Sequence, residues 1–193
     1  MCILSEKKCD EGHKKRVDFL KHLDLCDNNN NMEVYGRKNY HALKSYVGET
    51  DNKKELVKYK YCFSCENNSE KNYATEKIWE PILFECLCFY WGCPNLEEYI
   101  DSRAFVRLPL DNPDECISII TKAIEEDWWS QRIDIIKKEK VGEIVVGESV
   151  DFSGKLNALS GRIEVFILEL KERFKLPVHK QKEFLTSVEA RRY

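Results

Sequence analysis

Short apolar, aromatic-rich runs alternate with amphipathic stretches along most of this chain, and that alternation limits its fold more than any other feature. "MCILS" (1–5), "MEVYG" (32–36), "YKYCFSCEN" (59–67), "CFYWG" (88–92) and "AFVRL" (104–108) have strand length and strand composition. Between them lie segments with helical spacing. Residues 12–25 carry Val17, Leu20 and Leu23 on one stripe with Phe19 beside it. Residues 75–86 carry Ile78, Ile82 and Cys86 four apart, and 111–126 carry Cys116, Ile119, Ile120, Ala123 and Ile124. "DWWSQRIDIIKKEK" continues as a further helix, Lys53 to Lys58 forms a short one, and the Asn-rich 27–31 is a turn. Residues 38–52 are polar and predict little regular structure. Asn95 and Glu98 make a capping-box pair, and Pro81 predicts a kink or tightened turn in its helix. The alternation predicts an α/β fold, a parallel sheet with helices on both faces. Ligands of such sheets bind beyond the carboxyl ends of the strands. That rule puts Ser5, Gly36, the 66–77 loop and the 92–95 turn on one rim.

The chain of 193 residues is long enough to bury a real core in one domain, or a domain and a half. Lys and Arg number 31 against 34 Asp and Glu, a net charge of -3 that gives no electrostatic footprint for nucleic acid. The lysines of 137–140 sit among acidic residues and read as a solvated face. No apolar stretch reaches the length of a membrane span, and Met1 to Leu4 is too short for a signal sequence. The reading is a soluble, cytoplasmic protein. Nine cysteines, an odd number without a secretory signal, read as free buried thiols. Cys62 and Cys65, three apart on a strand, point to opposite faces, and "CLC" at 86–88 has no neighbouring histidine. No metal site is expected.

The pattern changes beyond residue 140. "VGEIVVGESVDFSG" is punctuated by glycine and reads as a linker or hairpin. Residues 155–175 read as an amphipathic helix with Leu156, Leu159, Ile163, Phe166 and Leu170 on its stripe, which needs a surface to pack on. The expected organisation is an α/β domain over 1–140 and a linker with a helical extension over 141–193.

Most of the polar chemistry lies in "ENNSEKNYATEKIW", Glu66 to Trp79, where a strand gives way to a helix. Lys77 falls in the first helical turn, where a cation opposes the helix dipole unless an anion sits there too. Arg16 stands early in its own helix, four residues before Leu20, and its planar fork suits phosphate or carboxylate. Tyr73 can stack on or bond a ribose, and Glu76 can accept from sugar hydroxyls or a base edge. Each also has a purely structural reading. Glu76 is a favourable helix-start charge, Asn67 and Asn68 make a turn, and first-turn cations are commonly just solvated. Two cations on one rim together favour a diphosphate. The sequence has neither GxGxxG nor GxxxxGKS/T, and no Asp-x-Asp pair for a metal–diphosphate clamp. Arg16 and Lys77 would then neutralise a diphosphate without metal. His13 lies near the rim, whereas His22, His41 and His179 read as incidental. No Ser-His-Asp or Cys-His set can be assembled.

At these residues the sequence resembles the α1,3/4-fucosyltransferase family, family 10 of the glycosyltransferases, in its C-terminal, donor-binding half. "CFSCENNSEKNYATEKIWEPILFECLCFYWGCPN" follows the family's order: a strand ending in "CFEN", a loop, "Y-x-TEK-I/L", an apolar helix, a strand and a "G-x-P" turn. "ILSEKKCDEGHKKRVDFLKHL", "MEVYGR" and "LEEYIDSRAFVRL" resemble the flanking segments, so the likeness runs over residues 1–130 or so. "ENN" in place of "ENS", and Pro81, depart from the pattern. The resemblance implies the Rossmann-like C-terminal domain of a GT-B enzyme, with metal-independent, inverting transfer to a glycan hydroxyl and no cofactor. The donor would be GDP-fucose or another nucleotide sugar. By position, Arg16 and Lys77 would contact the diphosphate, and Tyr73 and Glu76 the ribose, base or donor sugar. Asn67 would shape the same pocket and Ser5 line it. In this family an acceptor domain carrying the carboxylate base precedes this point. The expectation is therefore a missing N-terminal domain or a partner chain, with the catalytic base unassigned. The absence of a leader or anchor suits a bacterial or viral enzyme. Two alternatives stay open: a non-catalytic nucleotide-binding, glycan-binding or scaffold domain, and a transferase using a different nucleotide sugar.

Overall fold

Six short parallel strands frame the first of two units, Met1–Lys140 and Val141–Tyr193, in the computed structural model of the protein. The structure describes residues 1–26, 32–50, 53–139, 144–149, 160–174 and 177–183. β1 (Cys2–Ile3), β2 (Val34–Tyr35) and β3 (Tyr46–Gly48) form one parallel triplet. β4 (Tyr61–Cys65), β5 (Leu87–Trp91) and β6 (Phe105–Arg107) form another. Phe63 N–H donates to Met1 O at 2.8 Å and the Met1 nitrogen donates to Tyr61 O at 3.0 Å, which joins β1 to β4. The strand order across the seam is β3–β2–β1–β4–β5–β6. This is the doubly wound order of Rossmann-like sheets, with its switch point between β1 and β4. Leu87 to Tyr90 are buried without alternation, so both faces of β5 are covered.

β3 lies within residues 38–52, where the sequence predicted little structure. It is a three-residue edge strand with Val47 exposed, too short and too open to leave a pattern. α1 (Glu11–Leu25) buries Val17, Phe19, Leu20 and Leu23, and Phe19 meets Phe63 edge-on with ring centroids 5.2 Å apart. Lys53–Lys58 is a 3-10 turn. α2 (Glu76–Leu83) is capped by Thr75 and stops short of the expected Cys86. Pro81 has no N–H to return to Lys77 O, so the helix closes within a turn of it and leaves through Glu85 at φ 60. α3 (Pro113–Glu125) follows an Asn112 cap and buries Cys116, Ile117, Ile120 and Ala123. The predicted stripe holds at Cys116, Ile120 and Ala123 and is corrected at its edges: Ile117 is inside, Ile119 is half-buried and Ile124 is exposed. α4 (Trp128–Lys138) completes the unit. The expected capping box at Asn95 does not form. Asn95 Nδ2 donates to Glu98 Oε2 at 3.0 Å, but Asn95 Oδ1 accepts from Asn72 N–H at 2.9 Å instead of capping the 3-10 turn Leu96–Glu98.

The second unit is built differently from the expected linker or hairpin. β7 (Ile144–Ser149) pairs in parallel with β8 (Val178–Glu183), register Ile144↔Val178 to Ser149↔Glu183, and α5 (Ser160–Phe174) connects them. On α5, Ile167 is buried with Ile163 and Leu170 half-buried, while Phe166 is half-exposed, so the inward stripe runs 163–167–170. Leu156, Leu159 and the Asn-rich 27–31 lie outside the described residues. No helix among the described residues is long and apolar enough to cross a membrane.

Candidate functional site

A cavity of about 590 Å³ opens above the carboxyl ends of β1 and β4 and reaches Gly36 beyond β2. Ser5, Arg16, Asn67, Glu76 and Lys77 line it, so the structure brings five of the six predicted site residues together. Tyr73 is half-buried on the loop leading into α2 and is not among the lining side chains.

Arg16 owes its place to the way α1 lands on β4. Gly12 N–H donates to Asn67 O at 2.7 Å, and a β-carbon on Gly12 would lie 1.7 Å from Glu66 O. Only glycine lets the helix backbone rest on the strand end. One turn further on, Arg16 is buried at 6% exposure, with Nη1 donating to Cys65 O at 3.4 Å. Its Nε has no partner, and no carboxylate lies within ion-pair distance among the described residues. An unpaired buried guanidinium is costly, and an anion in the cavity would satisfy it.

Lys77 is placed by a second device. Its Nζ lies 3.4 Å from Glu66 Oε2, 3.3 Å from Thr75 Oγ1 and 3.4 Å from Glu76 Oε1. Glu66 is fully buried. Its Oε1 accepts from Thr75 N–H at 2.9 Å and Tyr90 O–H at 3.2 Å, and its Oε2 accepts from Thr75 O–H at 2.7 Å. Burial, reinforced by the Glu66 carboxylate, pushes the Tyr90 hydroxyl well up, so it acts as a neutral donor. Lys77 N–H goes to Thr75 Oγ1 at 3.5 Å and Ile78 N–H to Thr75 O at 3.2 Å. Glu66 and Thr75 thus accept from three backbone N–H groups around the start of α2.

Sequence reasoning passed over Glu66, Gly12, Gly92 and Tyr90. Gly92, at φ 154, would set a β-carbon 2.4 Å from Glu66 Cγ. A carboxylate directly after an apolar strand was the legible signal for Glu66; its partners come from elements far along the chain. His41 is not incidental either: its Nε2 lies 2.8 Å from Ser5 O and holds the rim at β1.

His13 also lines the cavity, and burial together with the charge of Arg16 holds its pKa below the usual value, leaving the imidazole neutral. Cys9, Asp10 and His13 place potential ligand atoms within 4.8 Å of one another. Their closeness is that of a helix cap, with His13 Nδ1 accepting from Asp10 N–H at 3.4 Å. Lys7, Arg16 and Lys77 all press positive charge on this imidazole, which disfavours a cation there.

Fold and cavity together define a doubly wound α/β domain with a cationic crevice at its topological switch point. Residues 2–116 match the profile of glycosyltransferase family 10 (fucosyltransferase), C-terminal part, and the chain belongs to that family. A solved α1,3-fucosyltransferase with GDP-fucose superimposes with a TM-score of 0.51 at 20% identity, over 89% of this chain and 47% of that one. The same match to an α1,3-fucosyltransferase with GDP gives 0.53, over 89% and 46%. The chain is 31% identical over 74 residues to GDP-fucose protein O-fucosyltransferase 3 of Xenopus tropicalis, 37% of this chain and 16% of that protein. Residues 112–193 match a second profile, RuvX, Holliday junction resolvase. A putative pre-16S rRNA nuclease of Maridesulfovibrio salexigens is 30% identical over 89 residues, 44% of this chain and 66% of that protein. The near-neutral charge gave no reason to expect that second likeness. The chain thus spans about half the length of the solved transferases and less than two thirds of each curated relative named.

Proposed function

We propose that residues 1–140 are the donor-binding domain of a fucosyltransferase-like glycosyltransferase, with residues 141–193 a separate extension. The donor is a nucleotide-diphosphate sugar, GDP-fucose first among candidates, held with its diphosphate between Arg16 and Lys77. The observation that carries this reading is Arg16: a buried guanidinium with a free Nε on the wall of the cavity. Glu76 and Asn67 supply polar contacts on the same wall, and Tyr73 stands outside it for the ribose, base or sugar. Two side-chain cations supply the charge that a divalent metal would otherwise bring, which supports metal-independent transfer. Inverting displacement on an acceptor hydroxyl needs a base, and we assign that role to a carboxylate of an acceptor domain or partner chain outside this sequence. Calorimetric titration with GDP, GDP-fucose and UDP, each with and without a divalent metal, tests the reading. Metal-independent binding of GDP and GDP-fucose, tighter than UDP, is the expected result. Absence of binding by all three, or a strict metal requirement, would overturn it.

The nuclease likeness over residues 112–193 supports a second reading for that part alone, a module related to RNA-processing nucleases. Incubating the full chain with structured RNA and Mg²⁺ tests it. Cleavage would favour the module; intact RNA would leave the transferase reading alone in the field.

A further inference from the structure

We infer that Glu66 is a positioning residue for the anion site: it occupies the start of α2 in place of a ligand anion and thereby aims the Lys77 ammonium into the cavity. The inference rests on the donor-site reading of Lys77.

Glu66 is a fully buried carboxylate, and its bonds go to the pieces that must be held still. Two Thr75 groups bind it, so the cap of α2 is fixed to the end of β4. Tyr90 O–H binds it from β5 and itself accepts from Cys93 N–H at 3.1 Å, which ties in the turn after that strand. Glu66 N–H donates to Trp91 O at 2.9 Å, and Gly12 and Gly92 crowd its backbone and side chain. The fourth neighbour of the carboxylate is Lys77 Nζ. A carboxylate at a helix start interacts well with the helix dipole, so the dipole of α2 is already answered from within the protein. Lys77 is left with three oxygens on its protein side, and its ammonium faces the cavity in one place.

Charge and position make opposite predictions for the neutral isostere Glu66→Gln. If Glu66 acted only by its charge, removing it would strip a negative group from beside an anion site and tighten GDP binding. If Glu66 positions Lys77, the ammonium loses its anchor and GDP binding weakens, by about tenfold. The design is a double-mutant cycle on the full chain, read by calorimetric titration with GDP. Lys77→Met gives the second corner and Glu66→Gln/Lys77→Met the last. Positioning through Lys77 predicts that the double variant binds no more weakly than Lys77→Met alone. Additive losses, unchanged affinity or tighter binding in Glu66→Gln would overturn the inference. Should Glu66→Gln fail to fold, Tyr90→Phe removes one bond to Glu66 and leaves Lys77 untouched. Its expected loss is roughly threefold, again absent on the Lys77→Met background; a loss that persists there, or no loss on the wild-type background, overturns the inference. If Lys77→Met itself binds GDP as the wild type does, the donor-site assignment of Lys77 has failed. If it binds weakly but shows no coupling, only the role of Glu66 has.

Discussion

Arg16 and Cys65 stand 49 residues apart in the chain, yet the Arg16 guanidinium donates to the Cys65 carbonyl at 3.4 Å. Among the described residues, that single long bond is the one hydrogen bond the Arg16 side chain makes. Burial also pushes the Cys65 thiol up to about 12, so no thiolate offsets the guanidinium.

Arg16→Met should therefore separate binding from stability. Loss of a charge-assisted contact should weaken GDP binding by roughly 1.5–3 kcal/mol. Replacing an unpaired buried charge by an apolar chain should leave the urea midpoint unchanged or higher. Titration and equilibrium unfolding on the same preparation check both halves. A large fall in stability with unchanged affinity would make Arg16 a structural residue.

Gly12→Ala should lower both together. The added methyl meets a carbonyl oxygen of the β4 end, and backbone on both sides must shift. Overpacking of this kind costs roughly 1–3 kcal/mol, which equilibrium unfolding would register. GDP affinity should fall as well, because the helix that carries Arg16 is lifted from its seat.

His13 gives the stability a pH dependence. Its folded pKa lies below the usual value, first through burial and then through Arg16. The unfolded chain therefore binds the extra proton first as pH falls below about 6.5. Stability is fully present above that value and declines as pH drops toward the lowered folded pKa. Urea unfolding between about pH 7.5 and about pH 5 should show the decline, with His13→Asn flattening part of it. An identical slope in the variant would show that other groups carry the dependence.

Asn72 closes the loop that carries Tyr73. It adopts φ 63, and its side-chain oxygen accepts from Asn95 Nδ2 at 2.8 Å and Tyr99 O–H at 2.6 Å. Asn72→Ala loses both bonds and keeps the left-handed backbone, at a combined cost of about 1–2 kcal/mol. Asn72→Gly, which tolerates that backbone, should cost less. Equal losses in the two variants would place the whole effect in the hydrogen bonds.

The parallel sheet was legible because its central strands are continuous apolar runs, as "CFYW" is on β5. The edge strand at Tyr46 was not, since three half-open residues have no period to read. Arg16 and Lys77 could be placed on one rim from their positions at helix starts. Glu66 could not, because a carboxylate after a strand reads as the beginning of a loop until Tyr90 and Thr75 are seen to converge on it. The α3 stripe was misread at its edges for a similar reason: Ile117, Ile119, Ile120 and Ile124 are chemically interchangeable, and packing alone chooses among them.

The seam between β1 and β4 has a consequence for how the protein assembles. Its hydrogen bonds link residues about sixty apart, such as Met1 and Tyr61. The chain must close a long loop there, and meet its entropy, before those contacts give anything back. Both walls of the cavity hang from that seam, Arg16 from one side and Lys77 from the other. If the donor diphosphate sits between Arg16 and Lys77 as proposed, a folding intermediate with only one half of the sheet in place lacks that site, and recovery of GDP binding would report the last long-range step of folding.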